Sequence, residues 1–320
     1  MRYNRVEGLS LGVLGERRLG TAYDGSARLR LGTGDLEPNV ELRVARGREQ
    51  RALALVGYHR LTSANDWGDP FGLGGSLSAL LFGRDEGYYY RSSGADLTGT
   101  RSPSAATGLT WRLFAERQHN APAETQLSLP NVFRGAEFEP NVRAIAATEG
   151  GASLRLRGAH GLDPRGPRLS ADVRAEAATG TFDYTRGAID VNASRYLFGG
   201  FGLSLSGGAG TSGGTLSPQR AWHVGGTNTV RGYRPDALAG DSYWLARGEL
   251  AFAGGSVMRP LVFYDAGWAG PRNEWKASKG TIRGAGVGLS FLDGLARIDL
   301  ARGVDPRTVW RAHLYVEAAF

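Results

Sequence analysis

The feature that most narrows the choice of fold is an alternation of apolar and polar residues at a period of two, sustained over stretches as long as Thr308 to Phe320. There Thr308, Trp310, Ala312, Leu314, Val316, Ala318 and Phe320 form one face, and Arg311, His313, Tyr315 and Glu317 the other. Successive side chains of a strand point to opposite faces, so this pattern predicts a strand with one apolar side. Ala296, Ile298 and Leu300 oppose Arg297 and Asp299 in the segment before it, which follows the tight-turn pair Asp293-Gly294, and the two segments predict a hairpin. Upstream, Val262, Tyr264, Ala266 and Trp268 oppose Phe263, Asp265 and Gly267, and Trp244, Ala246, Leu250 and Phe252 oppose Tyr243, Arg247 and Glu249. Leu154 and Leu156 against Arg155 and Arg157, and Leu29 and Leu31 against Arg28 and Arg30, continue the rule toward the N-terminus.

Strands of soluble sheets usually run about five or six residues. A strand that crosses a bilayer at a tilt needs about 9 to 11, apolar toward lipid and polar toward the interior, and the lengths here favour the membrane over a large soluble barrel or sandwich. Hydrocarbon offers no partner to a free backbone group, so such strands must close on themselves. The reading is therefore all-β, a 16-stranded antiparallel transmembrane β-barrel. Its spans are 5–15, 23–32, 37–47, 51–60, 87–98, 105–117, 140–148, 151–159, 167–178, 183–197, 201–210, 242–253, 259–269, 281–292, 295–303 and 308–320. An even count returns the C-terminus to the side where the chain began. Leu61 to Glu86 and Gln118 to Glu139 are less regular, and Ser76 to Phe82 reads as a short helix or an extra strand.

Composition removes other classes. No apolar run approaches the roughly 18 residues of a membrane-spanning helix. With no cysteine there is no disulfide, thiolate nucleophile or Cys-ligated zinc, and the five histidines have no metal-ligand spacing. The net charge of +7 comes from arginines spread strand by strand, which reads as a polar wall and not as a nucleic-acid patch. Gly8-Leu9-Ser10-Leu11-Gly12 fits the nucleophile-elbow spacing but lies inside an alternating strand, with no strand-turn-helix context. Gly284, Gly286 and Gly288 lie on one strand face and read as interior glycines that make room for a folded loop, not as a phosphate loop. No enzyme, metal or cofactor is expected. Met1 to Glu7 lacks a signal peptide's apolar core and cleavage site, so the chain reads as mature, truncated, or the C-terminal piece of something longer.

Between the eleventh and twelfth strands, Thr211 to Asp241 is far longer than a hairpin loop, and its bulky groups argue for order. It carries Trp222, His223 and Val224, then Thr229-Val230-Arg231-Gly232-Tyr233-Arg234-Pro235. Here the sequence resembles the barrel of the outer-membrane assembly factors and two-partner secretion transporters, the BamA, TamA and FhaC type with its bacterial surface antigen domain. In that family a long loop folds into the lumen with a Val-Arg-Gly-Phe/Tyr tip, which Val230, Arg231, Gly232 and Tyr233 match. A second motif, Phe-x-Asp-x-Gly, is matched by Phe263, Asp265 and Gly267, and Asn4 to Leu9 resembles the start of the first barrel strand.

The resemblance implies that Arg231 meets Asp265, and the strand faces independently place Asp265 and Glu249 in the interior. The same contact would serve equally to pin the loop without handling any substrate, and Arg247 is either a further member of the network or a wall residue. The resemblance also implies a bacterial outer membrane and a role in inserting other barrels through a seam between Val6–Leu14 and Val309–Phe320. Gly8, Gly12 and Gly15 would weaken that seam, and Phe320 closes the last strand. The alternative is a secretion pore or small-solute channel gated by the Arg231 loop. Partners would be outer-membrane lipid, unfolded outer-membrane or secreted proteins and periplasmic accessory proteins, with no nucleic acid. Residues 1–320 read as a single barrel domain without the family's periplasmic polypeptide-transport-associated domains. Tyr315 stands where the family's assembly signal often has glycine, and Ala318 is small.

Overall fold

The alternating segments assemble into one antiparallel sheet of sixteen strands, each paired with its neighbour along the chain, and a separate two-stranded sheet. The structure is a computed structural model, and it describes all residues but 49, 136, 162, 164, 165, 253–257, 292–295 and 317–320. In chain order the first half holds β1 (Arg2–Asn4), β2 (Gly8–Leu19), β3 (Tyr23–Gly32), β4 (Asn39–Arg48), β5 (Arg51–Ser63), α1 (Leu73–Phe82), β6 (Tyr89–Ser104), β7 (Thr107–Asn120), α2 (Leu129–Arg134) and β8 (Ala147–His160). The second half holds β9 (Arg168–Gly180), β10 (Tyr184–Tyr196), β11 (Phe201–Gly214), β12 (Trp222–Val224), β13 (Leu238–Gly240), β14 (Ser242–Phe252), β15 (Met258–Gly270), β16 (Ile282–Phe291), β17 (Ala296–Asp305) and β18 (Arg311–Val316). β12 pairs only with β13, and in the large sheet β11 pairs directly with β14.

Register sets the apolar residues side by side on one face: Val13 opposite Leu29, Leu29 opposite Val40, Val44 opposite Leu55, Leu55 opposite Leu97 and Leu97 opposite Leu113. That face is open. Val13 is 69% exposed and Leu55 58%, whereas the charged residues Arg231, Asp265 and Asp299 on the other side are each 0% exposed. A water-soluble sheet shows the reverse distribution.

The strands also curl toward a common interior. α1 packs against both β1 and β18, the two edges of the sheet among the described residues. Tyr3 on β1 donates its backbone N–H to Ser76 Oγ at 3.0 Å, and Arg84, just past the helix, lies 3.4 Å from His313 on β18. Ser76 to Phe82 is thus part of a helix and not an extra strand, and Gly83 ends it in the left-handed conformation, φ 63°.

Two expected strands take another form, and others shift at their ends, β6 running to Ser104 where 87–98 was expected. Residues 140–148 were expected to form a strand before a separate one at 151–159, but one strand, β8, covers 147–160 and the preceding residues follow an irregular path. Asn141 explains this: its amide bonds the backbone N–H and C=O of Tyr89, each at 2.8 Å, so the segment is tied by a side chain in place of a ladder. The expected strand 5–15 is a hairpin instead, β1 turning at residues 5–7 into β2. Asn4 Oδ1 accepts the N–H groups of Val6 and Glu7, and Arg5 bonds the carbonyl oxygens of Asp85 and Gly87, which draws the turn out of the ladder.

The ends of the sheet are unlike. β2–β3, β4–β5 and β6–β7 join through short turns at one end, and the connections 64–88, 121–146 and 215–241 lie at the other. Arg2 pairs with Ser10, so Met1 lies beside the long connections while β18 runs toward the short-turn end. The expectation that both termini share one side turns on residues 317–320, which lie outside the described residues, and on β1, which has only three residues and does not cross the sheet. The Asp293-Gly294 turn and Phe320 lie outside the described residues.

Substitution tests the face assignment. In a bilayer Leu55→Arg is expected to destabilise the fold by about 2–4 kcal/mol, as for a charge near the midplane of a lipid-facing strand. On a water-facing surface the same change would stay within about 0.5 kcal/mol. Urea unfolding of both proteins in lipid vesicles measures the difference.

Candidate functional site

The connection from β11 to β14 lies against the inner face and reaches strands far apart in the sheet. At its tip Arg231 donates through Nε to Asp265 Oδ2 at 2.6 Å and through Nη2 to Asp265 Oδ1 at 2.7 Å, a bidentate pair with β15. Nη1 donates to Glu249 on β14 at 2.6 Å and to Asp299 on β17 at 3.1 Å. The backbone N–H of Arg231 adds a bond to Asp265 at 3.1 Å, and the guanidinium lies 3.5 Å from the centre of the Phe263 ring.

Register explains the convergence. Arg247 pairs with Asp265, and Asp265 with Gly284, whose missing side chain leaves room for the loop: a Cβ there would lie 2.0 Å from the Arg231 carbonyl oxygen. Gly267 lies beneath Val230, where an added Cβ would come within 2.9 Å of Val230 Cγ2. Val230 itself is buried with Trp222, Val224, Leu245 and Ile282. Gly232 has φ +90°, a conformation that glycine adopts without strain, and Tyr233 OH lies 2.9 Å from the Arg283 carbonyl and 2.7 Å from that of Pro306.

Two further charges complete the cage. Arg297 bonds Glu249 at 2.9 Å and Asp299 at 2.8 Å, and Arg247 lies 3.4 Å from Asp265 while donating to the Asn228 carbonyl at 2.9 Å. The arginines 231, 247 and 297 thus balance the carboxylates 249, 265 and 299. Sequence reasoning put Arg297 and Asp299 on the polar face of their strand but had no means of bringing them to Arg231, because their meeting depends on inter-strand register.

A second anchor was missed. Arg220, eleven positions before Arg231 in the same connection, is buried and donates to Glu116 on β7 at 2.8 Å, with Glu176 on β9 at 3.8 Å. Next to it, Gln219 donates to Gln118 Oε1 at 2.7 Å and accepts from the Ile145 N–H at 3.1 Å. The connection is therefore fastened to β7–β9 at one point and to β14–β17 at another. A third contact comes from Glu86, in the connection between β5 and β6, which accepts from the Thr227 N–H at 2.9 Å and from its hydroxyl at 2.6 Å.

The expected seam residues lie elsewhere than against β18. Gly8 pairs with Asn4, Gly12 pairs with Arg30, and β2 beyond Ser10 has no partner on its other edge among the described residues. Ser10 of the elbow-like motif pairs with Gly32 inside β2, and a turn and another strand follow.

Two outcomes follow. Arg231→Ala leaves buried carboxylates short of a partner, at a cost of roughly 3 to 5 kcal/mol, and is expected to expose residues 215–241 to limited proteolysis. Arg231→Lys is expected to protect only in part, because an ammonium lacks the planar fork. For Glu86, burial raises the carboxyl above the ordinary carboxylate range and the Thr227 bonds oppose it. A carboxyl raised on folding contributes most below its unfolded pKa, and that contribution is lost as pH rises through the folded value. Glu86→Gln is accordingly expected to have a higher urea midpoint than wild type at neutral pH, with the gap closing as pH falls through the carboxylate range.

Comparison with known proteins agrees with this architecture. Residues 92–291, more than half of the chain, match the family model of the haemolysin secretion/activation protein ShlB/FhaC/HecB. CdiB from Acinetobacter baumannii superposes with a TM-score of 0.53 at 16% identity, over 91% of this chain and 52% of that one. BamA from Haemophilus ducreyi lacking POTRA domains 1-3 gives 0.61 at 15% identity, over 98% of this chain and 67% of that one. A stretch of 83 residues is 40% identical to outer envelope protein 80 of the Arabidopsis thaliana chloroplast, covering 26% of this chain and 10% of that protein. The chain thus spans about half the length of the CdiB structure and a small part of the plant protein. It is an outer-membrane protein and belongs to the haemolysin secretion/activation family ShlB/FhaC/HecB.

Proposed function

We propose that residues 1–320 form one transmembrane β-barrel domain that passes an unfolded polypeptide across the outer membrane, with the 215–241 connection as a plug in its lumen. The observation that carries this reading is the double fastening of that connection, Arg220 to β7–β9 and Arg231 to β14–β17. A segment tied to distant strands obstructs the space between them, and its release would open a path lined by the polar faces of the strands. The family match supports a protein substrate, the printed role of that family being secretion and activation of haemolysin. In this reading Val230, Arg231, Gly232 and Tyr233 are the latch, Asp265 and Glu249 its keepers, and Phe263 and Gly267 the surface that receives it. No residue is assigned a catalytic role. Lipid surrounds the outer face, and periplasmic accessory proteins would deliver the substrate.

A second reading is favoured by the free edge of β2. Backbone groups of Leu11 to Leu19 on that edge have no strand partner among the described residues, and such an edge templates an added strand. It would suit insertion of other barrels through a seam between the β1–β2 hairpin and β18.

Planar-bilayer recording and a folding assay separate the two. For a secretion pore, the wild type is expected to be mostly closed, with Arg231→Ala raising the open fraction by about tenfold or more, as loss of a buried pair implies. It would leave the folding rate of an added unfolded outer-membrane protein unchanged. Faster folding of that protein, abolished when an introduced cysteine pair locks β1 to β18, would instead establish insertion and overturn the pore.

A further inference from the structure

Several arginines of the inner face and of the loop against it are matched by carboxylates, Arg112 by Asp96, Arg155 by Asp172 and Arg231 by Asp265. Another group is not. Arg17, Arg46, Arg51 and Arg101 lie near the short-turn end of β2, β4, β5 and β6, all exposed, and none has a carboxylate within ion-pair distance among the described residues. Strand parity puts them on the outer face: Arg17 with Leu11 and Val13, Arg46 with Leu42 and Val44, Arg51 with Leu53 and Leu55, Arg101 with Leu97. Arg51 pairs directly with Arg101. Like charges directly opposite repel, so a row of them wants an anion from outside the chain.

We infer that this arginine row is a binding site for anionic phospholipid headgroups of the leaflet at the short-turn end. The inference rests on the outer face lying in a bilayer. What points to lipid is continuity: the arginines extend the exposed leucine face without a break. Two aromatic residues of the kind that mark a membrane interface lie beside them. The Arg46 guanidinium is 5.5 Å from the centre of the Tyr23 ring, and the Trp111 indole lies over Gly99, where an added Cβ would come within 2.3 Å of it. A guanidinium at that depth reaches the headgroup level, and its planar fork matches a phosphodiester. Short turns mark the periplasmic side of such barrels, which assigns the site to the periplasmic leaflet. Glu16, which directly precedes Arg17, falls on the opposite face of β2 by strand parity, and Glu49, two positions before Arg51, lies outside the described residues.

Tryptophan quenching by lipids with brominated chains tests this. The full chain is folded into phosphatidylcholine vesicles containing a minor fraction of either brominated phosphatidylglycerol or brominated phosphatidylcholine. Phosphatidylglycerol is expected to quench about two- to fourfold more than its fraction predicts, an electrostatic enrichment that salt weakens. The variant Arg46→Gln/Arg51→Gln/Arg101→Gln is expected to lose the preference, and Arg195→Gln, on β10, to keep it, with folding of each checked by its resistance to unfolding in cold detergent. Equal quenching by both lipids in the wild type, or an unchanged preference in the triple variant, overturns the inference. So does loss of the preference to inorganic phosphate at an ionic strength where chloride leaves it intact, which would mark a free-anion site. Binding of soluble polyglutamate that the triple variant abolishes, without any lipid preference, assigns the row to an acidic polypeptide and overturns it too. Absence of quenching by either lipid is a different failure, that of the bilayer reading itself.

Discussion

The constraint from which the rest follows is that the outer face must satisfy hydrocarbon. Side chains across the middle of that face have to be apolar, backbone groups are drawn into ladders, and most of the polarity is driven inward. Val13, Leu29, Val40 and Leu55 lie open on the outside while Glu7, Asp265, Asp299 and Arg231 are buried. The interior is held by buried apolar clusters, such as Val230 with Trp222, Val224, Leu245 and Ile282, together with charge-assisted hydrogen bonds, each of which holds only while both partners are present.

That requirement explains why a long connection is ordered. Glu249, Asp265 and Asp299 project from β14, β15 and β17 into one space, and the two wall arginines nearby, Arg247 and Arg297, leave one negative charge over. Arg231 supplies the missing cation from the loop, and its guanidinium has enough donors to reach all three carboxylates. Glu116 and Glu176 stand in the same relation to Arg220. Seating the connection and neutralising the walls are thus one process. Aromatic packing of Trp222 and Tyr243, 5.2 Å between ring centres, fills the space between the two anchors.

Much of this was legible from residues alone. β3 was expected at 23–32 and spans Tyr23–Gly32, because a half-buried strand bounded by turn residues writes its period directly into the sequence. Asp265 and Glu249 were legible as interior residues for the same reason, and the Val230 to Tyr233 tip through its resemblance. The reading failed where a side chain overrode the local pattern. Nothing in residues 140–148 announces that Asn141 will bond the Tyr89 backbone, and nothing in 5–15 announces that Asn4 and Arg5 will bend the chain before Gly8. The matching total of sixteen strands conceals these two differences, one expected strand giving way and the short β1 taking its place.

The sequence by itself determined which residues face lipid and which face inward, since a period of two is a local property that each strand carries alone. It also determined that one long connection bears a cationic tip. Only the tertiary structure decided which strands that tip would join, that Asp299 and Arg297 would complete its cage, and that Arg220 would find Glu116 across the interior. Those meetings depend on register and on the curl of the sheet. Both are set by many weak pairings acting together, and no single segment of the chain contains them.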